Sequence, residues 1–309
     1  MLSKLYLSFR RLIRNLFLKN LFLYRHFSGA LIYLDSFIKS SSFLKHEFNK
    51  SQIYFCGHIF NVNKENYYLA ESIIRNNSYE KATIDAIHSI LKDDSTFLDL
   101  GANIGIISII ASSALGENGR IISFEPHPNT FDSLEKNIIQ NNLTKIIIPE
   151  KIAITNKFGN FIFLEYADAQ KNLMIHEEED PARFGDDFLN STTVKGMSLD
   201  DYFNGKSSKR VDLVKIDIEG QELNSLYGME EIIDLNPDIK IIFEYNQIFM
   251  QNDINEIVNF LNKNEFSYFK ILYGDQGSFN ISQLNQTRLN ELGKKMNFNV
   301  LVSKKPFSF

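Results

Sequence analysis

Cysteine is almost missing from this sequence: Cys56 is the only one among 309 residues. One thiol cannot close an intrachain disulfide, and a CxxC or multi-cysteine zinc site is excluded. Such usage suits a reducing compartment, so a cytoplasmic location is the expectation. Positive charge is not in excess either. A net charge of −5 leaves no global basic field, and no nucleic-acid partner is expected. The N-terminal apolar run stops at Lys19 and Asn20, well short of the ~20 residues a membrane span needs. A secretory signal is equally poor, because Lys19 falls inside the would-be apolar region and no small-x-small cleavage site follows. Internal repeats and low-complexity tracts are also absent.

What is present fits a globular chain with a real core, at 44% hydrophobic and 23% charged residues. The length allows one large α/β domain with an appendage. The appendage is N-terminal. Lys4, Arg10, Arg11, Arg14, Lys19 and Arg25 all precede the first acid, Asp35. On a helix, Leu2, Leu5, Phe9, Leu12, Ile13 and Leu16 share one face, and Lys4, Arg10, Arg11 and Arg14 share the other. A basic amphipathic helix of this kind can lie on an anionic membrane, here through residues 1–26 at its inner face. Packing on the chain's own domain or on a dimer partner explains the same pattern, and an organellar presequence is a third reading. We therefore divide the chain into a helical segment, 1–50, and a main domain, 51–309.

Ile53–Val62 reads as a small hairpin turning at Gly57. From about residue 81, strands and helices alternate. Strands are predicted at Thr96–Leu100, Arg120–Phe124, Ile146–Ile154, Asn160–Tyr166, Val211–Ile216, Ile239–Glu244, Tyr268–Tyr273 and Asn299–Ser303. Helices are predicted at Ile104–Leu115, at Asn129–Asn141 with Asn129 as N-cap, and over 221–234, 253–264 and 283–296. The alternation predicts an α/β fold, a mostly parallel sheet with helices on both faces. The polar stretch 167–196, with Glu177-Glu178-Glu179-Asp180, breaks the rhythm and is long enough for a lid.

In such a sheet, ligands bind outside the carboxyl ends of strands. Asp99-Leu100-Gly101-Ala102-Asn103-Ile104-Gly105 occupies that position after the first strand. Gly101 and Gly105 let backbone approach a ligand, and a helix start offers free N–H groups. The dinucleotide fingerprint needs glycine where Asn103 stands, and a P-loop needs Lys-Ser/Thr where Ile106 and Ile107 stand. A ligand with an amino-acid end, an adenosine end and no pyrophosphate fits better. Asp99 can attract its ammonium, and Glu125, 20 residues beyond Gly105, can accept its ribose hydroxyls.

Glu125-Pro126-His127-Pro128 narrows the reading. The Asp99–Gly105 turn, Asn137 and Asn141, Ser198-Leu199-Asp200-Asp201-Tyr202, and Leu213-Val214-Lys215-Ile216-Asp217-Ile218-Glu219-Gly220-Gln221-Glu222 stand in the same order as in the FkbM methyltransferases. From about residue 50 onward the chain resembles that family. The resemblance implies a Rossmann-like class I methyltransferase with a seven-stranded sheet, S-adenosylmethionine as cofactor, and usually O-methylation of sugar or polyketide hydroxyls. It also sets Ala153-Ile154 and Gly159 near the adenine. The cofactor-binding set is then Asp99, Gly101, Ala102, Asn103, Gly105, Glu125, Pro126 and Ala153.

Methyl transfer to an alcohol needs alignment and a way to remove a proton. Asp217, Glu219 and Glu244 fall at or just past strand ends, where three acids can hold a divalent ion. Alternatively, Asp217 is the base, Glu219 caps the turn and Glu244 orients substrate. The metal-free version is preferred, since spacing alone does not bring three carboxylates to one ion. His176, in the predicted lid, is a further candidate base, although a solvated loop histidine is the preferred reading. No Ser-His-Asp or Cys-His arrangement is supported. The expected acceptor is a small molecule or glycan, namely a hydroxyl of a glycan, glycolipid or secondary metabolite. A nitrogen or carboxylate acceptor and a non-catalytic membrane- or partner-binding scaffold are the alternatives.

Overall fold

The computed structural model describes residues 52–62, 69, 73–74, 77–166, 173–179, 181, 188–218, 220–245, 254–293 and 298–307. The basic segment 1–50, Glu219 and parts of the polar stretch 167–187 lie outside them. The described residues fall into two compact units. In the smaller, drawn from 52–53 and 62–77, Val62, Leu69 and Ile73 are buried, and Asn77 N donates to the Ile73 carbonyl at 2.7 Å. The larger takes 54–61 and the chain from Ser78 on.

The strands are β1 (Gln52–Phe55), β2 (His58–Asn61), β3 (Thr96–Leu100), β4 (Arg120–Phe124), β5 (Ile147–Glu150), β6 (Ala153–Ile154), β7 (Gly159–Tyr166), β8 (Leu173–His176), β9 (Phe188–Met197), β10 (Leu213–Ile216), β11 (Lys240–Tyr245), β12 (Tyr268–Leu272), β13 (Ser278–Ile281) and β14 (Phe298–Ser303). The helices are α1 (Lys81–Ile90), α2 (Ile106–Ala111), α3 (Pro128–Gln140), α4 (Leu199–Phe203), α5 (Glu222–Tyr227), α6 (Glu230–Leu235), α7 (Ile254–Lys263) and α8 (Gln286–Gly293).

One sheet carries the architecture, in the order β13-β12-β14-β11-β10-β3-β4-β5. The five strands from β5 to β11 are parallel, and β14 enters antiparallel between β11 and β12. Every residue of β3, β10 and β14 is buried. That is why these strands read as nearly continuous apolar runs: helices cover both faces and leave no solvent side. On one face Leu98, Leu100, Ile216 and Phe243 pack with Leu226 and Ile232 in a single core.

The hairpin of β1 and β2 turns through Cys56 (φ 48°) and Gly57 (φ 87°), the two left-handed residues that a two-residue type I′ turn requires. Asn137 and Asn141 fasten β2 to α3. Asn137 Oδ1 accepts from Asn61 N at 2.6 Å while its Nδ2 donates to the Ile104 carbonyl at 2.9 Å. Asn141 brackets the Ile59 backbone at 3.0 and 2.8 Å. These two asparagines replace missing backbone partners.

Several local expectations change. The sheet has eight strands instead of seven, because a turn with Gly274 (φ 49°) and Gly277 (φ 102°) folds β13 back onto β12. The strand expected over Ile146–Ile154 is two strands in different sheets. The helix expected over 221–234 breaks at Gly228, where a Cβ would stand 2.0 Å from the Thr155 carbonyl oxygen. Asp200 then caps the new helix start, accepting from Glu231 N and Ile232 N at 3.1 and 3.0 Å. Helix α2 starts at Ile106 after Gly105, and α3 is capped by His127 with Pro128 in its first turn. The stretch read as a lid contains strands: β8 and β9 join β6 and β7 in a second sheet, ordered β6-β9-β7-β8. In β9, Asn190, Ser191, Thr193 and Lys195 are exposed while Val194 packs with Ala153, Phe161 and Met174.

Candidate active site

Parallel pairing brings four of the positions singled out in the sequence into one row. Leu100 registers with both Phe124 and Ile216, and Ile216 registers with Phe243. The residues that follow, Gly101, Glu125, Asp217 and Glu244, therefore share one edge of the sheet, its carboxyl edge.

The turn after β3 is held from both sides. Gly101 N and Ala102 N donate to the Phe124 carbonyl at 3.0 and 2.9 Å. Gly101 has φ 79°, and a Cβ there would come within 1.9 Å of the Asp217 carbonyl oxygen, so only glycine fits. Gly105 has φ 88°, Asn103 has φ 52°, and Ala102 is buried. Asparagine tolerates the left-handed region, and its Oδ1 accepts from Ile104 N at 2.8 Å. Glu125 ties this turn to the next: its Oε2 accepts from Asn103 N at 3.0 Å and its Oε1 from His127 N at 2.9 Å. Burial pushes the Glu125 carboxyl up to about 7, with the two N–H groups pulling the other way. Pro126 lies within that second turn. His127 Nε2 stands 3.1 Å from Glu165 Oε1 of β7, which fixes the imidazole against the second sheet.

Asp99 is fully buried. Its Oδ2 accepts from Ser108 Oγ at 2.5 Å, and Ser108 in turn meets Ser123 Oγ at 2.7 Å. Its Oδ1 is buried with no hydrogen-bond partner among the described residues. Burial raises its pKa and Lys215 opposes that. An unpartnered acid oxygen below a glycine turn fits a ligand ammonium, and Glu125 in the neighbouring turn fits a ribose; the chain's donor set thus matches S-adenosylmethionine. Ala153 pairs with Gly196, and its side chain lies in the core of the second sheet.

Asp217 Oδ2 accepts from Lys215 Nζ at 2.8 Å. Its Oδ1 accepts no hydrogen bond from a described residue. Lys215 is 2% exposed. Burial alone would favour the neutral amine, but Asp217, Glu80 and Asp99 outweigh it and hold the ammonium charged above its usual range. Burial, then the charges of Asp217, Glu222 and Glu80, drive the Glu244 carboxyl well upward. Glu222 Oε1 accepts from Ile218 N and Gly220 N at 3.3 Å each, the turn-holding role expected of Glu219. Burial pushes Glu222 to about 7. His176 stacks edge-on to Phe161 at 5.2 Å, and its Nδ1 is 3.6 Å from Glu178 Oε2, so its partners belong to the second sheet and its turn. That sheet reaches the row through Gln221 Nε2, which donates to the Met174 carbonyl at 2.8 Å. Among the described residues, no three His, Cys, Asp or Glu stand as an ion-holding group. Glu219, one of the three acids considered for a metal, is outside them.

Sequence reasoning missed Glu80 and Asn299. Asn299 Nδ2 donates to Glu80 Oε2 at 3.0 Å. The available signal was a lone amide inside the apolar run Phe298–Ser303.

Comparison with known proteins identifies the family. The model of the methyltransferase FkbM domain matches residues 99–268, more than half of the chain. A hexuronic acid methyltransferase, AglP, of Haloferax volcanii is 27% identical over 156 residues, covering 50% of this chain and 59% of that protein. The chain thus spans less than two thirds of that relative. The methyltransferase sdnD of Sordaria araneosa is 25% identical over 197 residues, covering 56% of this chain and 76% of its own. An O-methyltransferase of Bacillus cereus, solved in complex with SAH, has a TM-score of 0.40 at 14% identity, covering 72% of this chain and 80% of that one. The fold assignment rests on the strand order instead. By the extent of the matched domain, this chain belongs to the FkbM methyltransferase family.

Proposed function

We propose that the protein is an S-adenosylmethionine-dependent methyltransferase acting on a hydroxyl of a glycan, glycolipid or secondary metabolite. The observation that carries this reading is the pairing of Asp99, with its unpartnered Oδ1, and Glu125, across a single glycine turn. Asp99 and the Gly101–Gly105 backbone would hold the amino-acid end, and Glu125 the ribose. When bound, the cofactor supplies a methyl group on a cationic sulfur. Asp217 stands one strand away with Oδ1 turned from its ion pair, so it accepts the acceptor hydroxyl's proton. Lys215 holds Asp217 ionised and in place. The metal-free version remains our reading. The sugar named for the Haloferax relative favours a carbohydrate acceptor.

Among the described residues no helix is long and apolar enough to cross a membrane. The basic segment 1–26 is proposed to attach the chain to an anionic surface. Deleting it should end sedimentation with phosphatidylserine vesicles while cofactor binding persists; equal sedimentation of both forms would refute the attachment.

The test of the main reading is ligand stabilisation. S-adenosylhomocysteine should raise the melting temperature by mass action, and NADH should not. Stabilisation by NADH alone would overturn the assignment.

A further inference from the structure

His127 sits between two prolines, and both nitrogens of its ring are engaged. The residue is 7% exposed. Nε2 stands 3.1 Å from Glu165 Oε1, and Nδ1 stands 3.3 Å from the Thr130 hydroxyl. An ionised carboxylate only accepts, so Nε2 carries a proton, and Nδ1 can take the hydroxyl hydrogen of Thr130. The ring also lies against Phe163 at 5.3 Å. Phe163 and Glu165 are two positions apart on β7 and so leave the same face of that strand. The β7–β9 ladder shifts register immediately after Glu165, the kind of irregularity that re-aims a side chain.

The sheet that carries Glu165 is held at a second place. Phe163 registers with Met174, whose carbonyl accepts from Gln221 Nε2 at 2.8 Å. Gln221 Oε1 accepts from Asn224 Nδ2 at 2.7 Å, and Asn224 Oδ1 accepts from Asn156 Nδ2 at 3.2 Å. The second sheet is thus tied to the turn after β10 as well as to the turn after β4, and it presents Glu165 as a fixed point. Pro126 and Pro128 restrict the backbone on either side of His127, which is itself extended at φ −73° and ψ 125°. A stiff segment passes the placement of the imidazole on to the His127 N–H. That N–H donates to Glu125 Oε1 at 2.9 Å, opposite Asn103 N on Oε2 at 3.0 Å.

We propose that His127 is a positioning residue for the cofactor: anchored on Glu165, it sets the Glu125 carboxylate in the orientation that receives the ribose hydroxyls. This rests on the S-adenosylmethionine reading and deepens it, giving the second sheet a part in cofactor binding.

The test compares S-adenosylhomocysteine with its 2′,3′-dideoxy analogue, by calorimetry on the full chain at about pH 8, where Glu125 is ionised. Wild type should bind the parent about tenfold to a hundredfold more tightly, because the analogue lacks the hydroxyls. His127→Ala should cut that ratio by about fivefold or more and leave the analogue's own affinity within about twofold. His127→Gln, whose amide N–H reaches where Nε2 stands, should restore most of the ratio. Glu165→Ala should behave like His127→Ala, and it decides if His127→Ala does not fold. The double variant should be no worse than either single one, and losses that add would overturn the link between them. A purely structural role lowers melting temperatures and weakens both ligands alike. An unchanged ratio in these variants would therefore overturn the positioning role and leave the cofactor reading standing. Wild type that binds both ligands equally would overturn it too, since Glu125 would then not meet the ribose. Wild type that binds neither would cost the cofactor reading, and the positioning role with it.

Discussion

Lys215 Nζ lies 2.8 Å from Asp217 Oδ2, although the two residues are separated by only one position along the chain. Alternation would send neighbours at i and i+2 to the same side of a strand, and here β10 ends at Ile216 between them. The pair therefore joins a buried ammonium to a carboxylate at the cleft, and one group serves the position of the other.

Asp217→Asn keeps shape and removes the proposed base. Turnover on an acceptor that the wild type methylates should fall by about 10²–10⁴. The same change strands Lys215, so the melting temperature should also fall. Adding Lys215→Met should restore most of that stability and none of the turnover. Melting curves and initial rates check both halves; a fully active Asp217→Asn enzyme would remove Asp217 from the chemistry.

If Glu125 meets the ribose as proposed, cofactor affinity should depend on pH. Its folded pKa, about 7, lies above the usual carboxylate value. Its contribution to stability is therefore full below about 4.3 and is lost as pH rises through about 7. Ribose hydroxyls donate best to the ionised form, so binding runs the other way. S-adenosylhomocysteine affinity should rise between about pH 6 and 8, by up to about tenfold per unit, with release of a proton. Calorimetry in two buffers of different ionisation enthalpy reads that proton directly. Glu125→Gln should flatten the profile and weaken binding about tenfold to a hundredfold; an unchanged profile would show that Glu125 does not meet the ribose.

Glu222→Ala should destabilise the protein by about 1–3 kcal/mol, since Ile218 N and Gly220 N lose their acceptor. Glu222→Gln keeps an oxygen and should cost less. Chemical denaturation midpoints rank the two, and a neutral Glu222→Ala would show that the turn holds itself.

Gly101→Ala should give no soluble protein, because its Cβ meets backbone at 1.9 Å. Gly57→Ala, with similar φ and open space around it, should cost only about 1 kcal/mol. Comparable expression of the two variants would contradict the close approach at Gly101.

Strands buried on both faces announce themselves, which is why Thr96–Leu100 and Arg120–Phe124 could be read directly from the residues. The hairpin at Gly57 was equally plain. The second sheet was not. Phe188–Met197 carries Asn, Ser, Thr and Lys because much of it faces water, and polar composition imitates a loop. That Gly101, Glu125, Asp217 and Glu244 fall at the carboxyl edge was legible because glycine turns and strand-end acids are local signals. Glu80 and Asn299 are 219 positions apart, and only tertiary structure brings them together. The capping roles of Glu222 and Asp200 were hidden for a similar reason: an acid that satisfies backbone N–H groups looks in sequence like one that does chemistry.

The placement of β14 has a consequence for how the chain is made. Phe298–Ser303 follows both Lys240–Tyr245 and Tyr268–Leu272 in the chain, yet it fills the gap between them. The strands that carry Asp99, Glu125 and Asp217 can pair with one another before it appears. Glu244 and the β12–β13 ribbon must wait, with unpaired edges exposed, until residue 298 and its followers arrive. A chain held short of that point would display the β3, β4 and β10 turns already paired, beside an open edge at β11.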